Sequence, residues 1–197
     1  MRLETGPDAW RLFASWVDGD DSRARSILRA GTGLEPLALR EAALMVHLFA
    51  GFPRMLEAFA TIEAQRPEWL VADVSELRPE TSPPFAAGEE TFGLVYGSTA
   101  LAVRARLEKL HPEAAAWVLG HAYGRVLSRP GLSLLDRELL AVASLVVLRA
   151  ESQLKSHVRG AIRCGASPDL VGRVVESLVH HVDSERLAWA RQLVASQ

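Results

Sequence analysis

Apolar residues recur at helical spacing along almost the whole chain. Hydrophobic positions three and four residues apart repeat in segment after segment, whereas β-branched residues never alternate with polar ones over a useful length. The pattern therefore predicts an all-α protein. The predicted helices cover about 7–17, 20–30, 35–49, 52–66, 93–109, 112–127, 133–149, 151–163, 168–182 and 184–195.

Three helix ends carry residues with capping chemistry. Ser133 followed by Asp136 resembles a capping box, with Asp in place of the usual Glu or Gln. The run Ser167-Pro168-Asp169 supplies an N-cap, a first-turn proline and an acid. Gly165 fits the left-handed position that ends the helix before it.

Residues 71–92 differ from the rest, because they are polar and rich in proline and acidic residues. Such a composition is typical of a linker or surface excursion. It divides the chain into an N-terminal helical unit, 1–70, and a C-terminal unit, 93–197.

The two units are hypothesised to be a degenerate tandem repeat. A shift of 132 residues preserves the helix order and a shared Gly-x-x-Pro spacing. The identities at this shift are Ala9 with Ala141, Gly33 with Gly165, Pro36 with Pro168, Arg54 with Arg186, and Ala58 with Ala190. In the first copy, Gly6 and Arg25 stand at the positions of Glu138 and His157, so that copy has lost both the acid and the imidazole.

Composition narrows the class of protein. The chain has 197 residues, is 49% hydrophobic and carries a net charge of −2, so it has no basic footprint for nucleic acid. The longest apolar run, 139–148, is too short to span a bilayer, and the N-terminus shows no apolar signal core. We therefore expect a cytoplasmic protein with no membrane partner. The single cysteine, Cys164, excludes an intrachain disulfide.

Glu138 is the most informative acidic residue. It lies among Leu134, Ala141, Val142 and Leu145 on a helix that is apolar on every side, which is the pattern of a buried helix. A buried carboxylate needs a partner or becomes neutral, and that state suits acid/base chemistry. The alternative is that Glu138 pairs with an arginine and only ties helices together. The candidate arginines are Arg129, Arg137 and Arg159.

His157 lies at the edge of the apolar stripe on the next helix, beside Leu154 and Ala161. From that edge an imidazole can reach both a buried acid and a pocket. A Glu–His pair would fix the tautomer and raise the basicity of the ring. A lone histidine at such a place more often has a structural role, so both interpretations stay open.

The segment from about residue 90 to 182 resembles the carboxymuconolactone decarboxylase family, which shares its fold with alkylhydroperoxidase D-type proteins. The residues that carry the resemblance are Gly124, the turn 129–132, Arg137-Glu138, the run 154–159 and Gly165. In alkylhydroperoxidase D-type relatives, an acid is followed by Cys-x-x-Cys and then a histidine. Ala150 and Gln153 stand at the two cysteine positions here, which disfavours thiol peroxidase chemistry.

The decarboxylase branch that the resemblance implies needs neither a cysteine pair nor a cofactor. Its substrate would be a small carboxylated lactone, with His157 as proton donor and Glu138 orienting or recharging it. The side chains that could bind this ligand are Arg129, Arg137 and Lys155 for its anion and His121 for the pocket wall. The resemblance also implies a homo-oligomer, either a trimer or a hexamer.

Three function classes follow: a cofactor-free acid/base enzyme, an alkylhydroperoxidase-related antioxidant protein, and a non-catalytic binding protein that has kept the fold. Glu176 and His180 also share a helix face at a spacing that could hold a metal, but the sequence offers no identifiable third ligand. We therefore predict no metal site.

Overall fold

The computed structural model describes residues 5–71 and 84–197, and every regular element in those ranges is a helix. The all-α fold class is thereby confirmed. The α-helices are α1 Pro7–Asp18, α2 Asp21–Ala30, α3 Pro36–Met45, α4 His47–Gln65, α5 Pro84–Tyr96, α6 Ala100–Leu110, α7 Pro112–Trp117, α8 Leu134–Val147, α9 Glu151–Arg163, α10 Pro168–Ser177 and α11 Ser184–Ala195. Short 3₁₀ helices cover Pro67–Leu70 and Gly97–Thr99, and a π-helix covers Val118–Leu127.

The chain forms two compact units. The first unit joins residues 1–72 with residues 131–197 and contains α1–α4 and α8–α11. The second unit, residues 73–130, contains α5–α7 and the π-helix. The central part of the predicted linker, 72–83, lies outside the described residues.

Helix α8 is the core of the first unit. Every residue from Leu135 to Val147 is buried, as its all-round apolar pattern predicts. It packs against α1, α9, α10 and α11. Its one acidic first-turn residue, Asp136, is also buried, and it accepts hydrogen bonds from the Thr5 amide at 2.9 Å and hydroxyl at 2.6 Å.

The three predicted capping positions are confirmed. Ser133 accepts a hydrogen bond from the amide of Asp136 at the start of α8, and Ser167 accepts one from Leu170 at the start of α10. Gly165, with φ of 105°, follows the end of α9 in the left-handed region.

The second unit depends on a close approach between α5 and the π-helix. A Cβ on Gly88 would lie 1.9 Å from the carbonyl oxygen of Leu119, and one on Gly124 would lie 1.9 Å from that of Pro84. Only glycine permits such contact. Helix α5 starts at Pro84 rather than near residue 93, because Gly88, Thr91, Phe92 and Val95 form a buried helical stripe while the acidic pair 89–90 faces solvent.

The first unit repeats its helix order at the shift of 132 residues. Pro36 and Pro168 begin α3 and α10, which are both 10 residues long, and Gly33 and Gly165 both have positive φ. The guanidinium of Arg54 lies against Gly19 at the end of α1. The matching Arg186 donates a 2.6 Å hydrogen bond to the Val147 carbonyl at the end of α8. Two arginines thus hold the ends of corresponding helices.

No single helix in 5–71 or 84–197 has both the length and the apolar character needed to cross a membrane. Only α3 and α4 taken together pass that test, and they are bent by 117° at their junction.

Candidate functional site

Helices α8 and α9 place an acid and an imidazole side by side. The two helices are separated by three residues, one of which, Arg149, turns the chain with φ of 54°. Helix α9 then packs back against α8. The apolar stripe of α9, with Leu154 and Val158 fully buried, carries His157 at its edge towards α8.

Glu138 and His157 are joined by a hydrogen bond. The Oε2 atom of Glu138 lies 3.0 Å from Nδ1 of His157. The Glu138 side chain is fully buried, whereas that of His157 keeps 15% of its surface exposed. Glu138 Oε1 has no hydrogen-bond partner among the described residues. The pair therefore connects a carboxylate in the core to an imidazole that solvent can reach.

The carboxylate changes the proton affinity of the ring. Burial by itself lowers the pKa of His157, but the negative charge of Glu138 and its hydrogen bond outweigh that effect and raise the pKa above the usual 6.5. With Glu138 accepting from Nδ1–H, Nε2 is the nitrogen left to exchange a proton with a ligand.

An aromatic side chain from α4 borders the imidazole. The ring of Phe49 meets that of His157 edge-on, with centroids 6.3 Å apart, and Phe13 supports Phe49 from α1 at 5.8 Å. Helix α4 bends next to this contact because Gly51 adopts φ of 79°. Sequence reasoning did not assign Phe49 to the site, although the Gly51-Phe52-Pro53 break in the apolar pattern marks the bend that places it there.

Arg137 is engaged elsewhere. Its guanidinium donates to Glu41 Oε2 on α3 at 2.9 Å, and the two side chains are 0% and 2% exposed. This buried ion pair ties α8 to α3. The arginine predicted as a possible anion ligand thus has an acidic partner within the protein, and Glu41 is a charged core residue that the sequence did not single out.

The other predicted ligand-binding residues lie on different elements. Lys155 pairs with Glu151 one turn earlier on the solvent-exposed side of α9, at 2.6 Å. His121 lies on the π-helix and Arg129 follows it, so both belong to the second unit. The first unit alone therefore presents the Glu138–His157 pair, and substrate binding by Arg129, Lys155 and His121 stays a prediction.

The thiol positions give no sign of redox chemistry. Ala150 caps the start of α9 and Gln153 is exposed in its first turn. Burial, reinforced by the charge of Glu138 and only partly offset by Arg163, raises the pKa of Cys164 to about 11. Its thiol is therefore protonated near neutral pH, and a thiol is a poor nucleophile.

Glu176, which shares a helix-face spacing with His180, forms an ion pair with an arginine. Both carboxylate oxygens of Glu176 accept hydrogen bonds from Arg191 on α11, each at 2.6 Å. Across the described parts of the chain, no group of three or more His, Cys, Asp or Glu side chains is arranged to hold a metal ion.

Comparison with known proteins finds a family model that matches the part of the chain containing Glu138 and His157. Residues 112–196 match the Carboxymuconolactone decarboxylase family. A curated relative, "Peroxisomal protein 2" of Schizosaccharomyces pombe, is 27% identical over 134 residues. The alignment covers 68% of this chain but 63% of the relative, so the chain spans less than two thirds of that protein's length.

Proposed function

We propose that the protein performs cofactor-free acid/base chemistry on a small carboxylated lactone. The match of residues 112–196 to the carboxymuconolactone decarboxylase family supports the proposal. The observation that carries the proposal is the 3.0 Å contact between buried Glu138 and partly exposed His157. A carboxylate withheld from water and bonded to an accessible imidazole is the arrangement expected of a positioned general acid.

In the proposed reaction, the substrate carboxylate leaves as carbon dioxide. The electrons of the broken carbon–carbon bond pass into the unsaturated lactone and form a dienolate. The Nε2 proton of His157 then moves to carbon, while Glu138 stabilises the imidazolium before transfer and holds the ring in place afterwards. Water returns the proton to His157. No electron is gained or lost overall, so no redox partner is needed.

The raised pKa of His157 favours this role, because the imidazolium form persists to higher pH than for a free histidine. The antioxidant alternative has less support, since Ala150 and Gln153 occupy the thiol positions and the pKa of Cys164 is raised to about 11. The non-catalytic alternative predicts that the pair can be removed without loss of any turnover.

The test is decarboxylation of carboxylated unsaturated lactones, followed by carbon dioxide release. We expect His157→Gln to lower kcat by about 10²–10⁴-fold. Glu138→Gln should lower kcat and move the basic limb of the pH profile to lower pH, because the ring loses the charge that raises its pKa. Glu63→Gln, an identical change on the exposed side of α4, is the matched control. Undiminished turnover in both site variants, or none in the wild type above the buffer rate, would refute the proposal.

We also propose that the protein acts in the cytoplasm as a homo-oligomer, a trimer or hexamer, without a nucleic-acid partner. Assembly is supported by large exposed apolar side chains on α4, where Phe52 and Leu56 keep 60% and 62% of their surface exposed. Light scattering of the purified protein tests the assembly. A monomer at micromolar concentration would contradict it.

A further inference from the structure

The first unit contains a cavity that does not involve Glu138 or His157. It has a volume of about 240 Å³ and lies among α1, α2 and the end of α10. The side chains that line it are Arg11, Arg23, Ile27, Ser177, His180 and His181. Two guanidinium groups, two imidazoles and a hydroxyl thus surround one space, and no carboxylate is among the lining residues.

Several nitrogen atoms of this lining are shielded from solvent without a hydrogen-bond partner. Both ring nitrogens of His181 and Nε of Arg11 are in this state. Buried polar atoms in native proteins are almost always hydrogen-bonded, to protein groups or to something bound. Arg11 Nε and one nitrogen of an uncharged His181 ring carry an N–H, so a group that offers hydrogen-bond acceptors would satisfy both.

The two guanidinium groups are held in place by acidic neighbours. Arg11 pairs with Asp8 within α1, and Arg23 pairs with Asp20 at 3.1 Å. Arg23 also donates to the carbonyl of His180 at 2.8 Å, which fixes α2 against the end of α10. Each arginine retains further N–H donors after these bonds, because a guanidinium carries five.

His181 adds a neutral ring to this cavity. Burial is the main cause that lowers the pKa of His181 to about 4; the charges of Arg23 and Arg11 also lower it, and the carboxylates of Asp18 and Asp20 raise it. The neutral ring keeps one N–H, which can donate to an anion held by the two guanidinium groups.

The cavity also occupies a related place in the repeat. The 132-residue shift pairs His181 with Phe49, the ring that contacts His157, and pairs α2 with α9. The cavity therefore lies near the first copy's counterpart of the region around Glu138 and His157, although Arg11 and Arg23 correspond to Ala143 and Lys155 in the second copy.

We propose that this cavity binds a small oxyanion, either free phosphate or the phosphate or carboxylate group of a small metabolite. The guanidinium forks of Arg11 and Arg23 would hold its oxygens, with the N–H of the His181 ring completing the site. This site is independent of the chemistry proposed for Glu138 and His157.

Isothermal titration calorimetry with inorganic phosphate, at constant ionic strength, tests the proposal. We expect saturable binding by the wild type and a loss of at least about tenfold in affinity for Arg11→Gln and for Arg23→Gln, because each removes a charge-assisted hydrogen bond. Arg29→Gln makes the same change on the exposed side of α2 and should bind like the wild type. Titration with acetate in a parallel arm distinguishes a carboxylate from a phosphate preference.

The smaller change Arg23→Lys keeps the test decisive if an Arg→Gln variant fails to fold. We expect it to weaken phosphate binding by several-fold, because lysine lacks the guanidinium fork. Circular dichroism melting confirms that each variant is folded. Absence of saturable binding of both anions by the wild type, which would mean a water-filled cavity, overturns the proposal. Equal affinity in the wild type, Arg11→Gln, Arg23→Gln and Arg23→Lys also overturns it.

Discussion

Helices α1 and α8 hold corresponding places in the two halves of the first unit, α1–α4 and α8–α11, but they bury different kinds of residue. Helix α1 fills its part of the core with aromatic side chains, Trp10, Phe13 and Trp16, and has no buried charged residue. Helix α8 buries three charged residues in succession, 136–138. The same place in the repeat therefore holds hydrophobic core in one copy and supports a polar site in the other.

The difference shows how a buried charge is kept in a helical core. Each of the three charges on α8 has a partner from a separate element. Asp136 bonds to Thr5 ahead of α1, Arg137 to Glu41 on α3, and Glu138 to His157 on α9. Burial of these groups is tolerated because each is paired, and the partners connect α8 to three other parts of the unit.

The largest effect on stability should come from breaking the buried ion pair. Arg137→Met leaves Glu41 in the core without its guanidinium, and we expect the free energy of unfolding to fall by about 3–5 kcal/mol. Urea denaturation measures it. The double variant Arg137→Met with Glu41→Gln should recover part of the loss, because no unpaired charge remains.

The control is Arg191→Met, which breaks an ion pair with Glu176 in which both side chains are about half exposed. Such pairs are worth less than about 1 kcal/mol, so little change is expected. Suppose that Arg137→Met and Arg191→Met lower the free energy of unfolding by the same amount. The buried charges of α8 would then not set this helix apart from α1.

Sequence patterns predicted most of the helices and the central pair. The apolar period located the helices of the first unit, but it missed the start of α5 at Pro84. The apolar side chains on every face of α8 indicated that it is buried, and the positions of Glu138 and His157 on consecutive helices suggested their contact. Local chemistry likewise located the caps at Ser133, Ser167 and Gly165.

Contacts between distant segments could not be predicted in the same way. Periodicity shows which face of a helix is buried, but not which other helix covers it. Glu41 lies 96 positions from its partner Arg137, so nothing local marks it as paired. The same reason applies to the contact of Phe49 with His157 and to the cavity around His181. Neither could be predicted, because each forms where helices of the two copies meet.

Titration of His157 and His181 should sharpen the comparison next. The raised pKa of His157 means that its contribution to folding is fully present below the unfolded value of 6.5 and is lost as pH rises through the folded value. The pKa of His181 is lowered to about 4, so its neutral form favours the folded state and that stability is lost as pH falls from 6.5 towards 4.

Heteronuclear NMR of the ring nitrogens measures both titrations, with His157→Gln and His181→Leu to assign the signals. We expect one ring to titrate above 6.5 and the other well below it. Addition of phosphate should raise the pKa of His181 alone. Two ordinary titrations near 6.5 would contradict the electrostatic difference between the copies.

A smaller effect is expected at the two arginines that hold helix ends. Arg186→Ala removes the hydrogen bond to the Val147 carbonyl, and Arg54→Ala removes the guanidinium beside Gly19. We expect Arg186→Ala to lower the free energy of unfolding by about 1–3 kcal/mol, as for a hydrogen bond to a charged group, and Arg54→Ala to lower it by no more than that. Arg173→Ala, on the exposed face of α10, is the control and should change it little. A cost confined to Arg186→Ala would show that only one copy depends on this contact.

The smallest effect should come from the glycines that precede α3 and α10. Gly33 and Gly165 have φ of 69° and 105°, a region that a side chain enters at a cost of about 1–2 kcal/mol. A Cβ on Gly33 would meet nothing within 4 Å, so its cost should come from the backbone alone. Gly172→Ala is the matched control, because that glycine lies inside α10 with equally open space and should gain about 0.5–1 kcal/mol from helix propensity. Urea denaturation measures the change in the free energy of unfolding. Opposite signs of that change for Gly33→Ala and Gly172→Ala would separate backbone strain from packing. Equal losses for Gly33→Ala and Gly165→Ala would show that both copies use the same turn. A loss of stability for Gly165→Ala without one for Gly33→Ala would instead mean that the first copy no longer needs glycine at this turn.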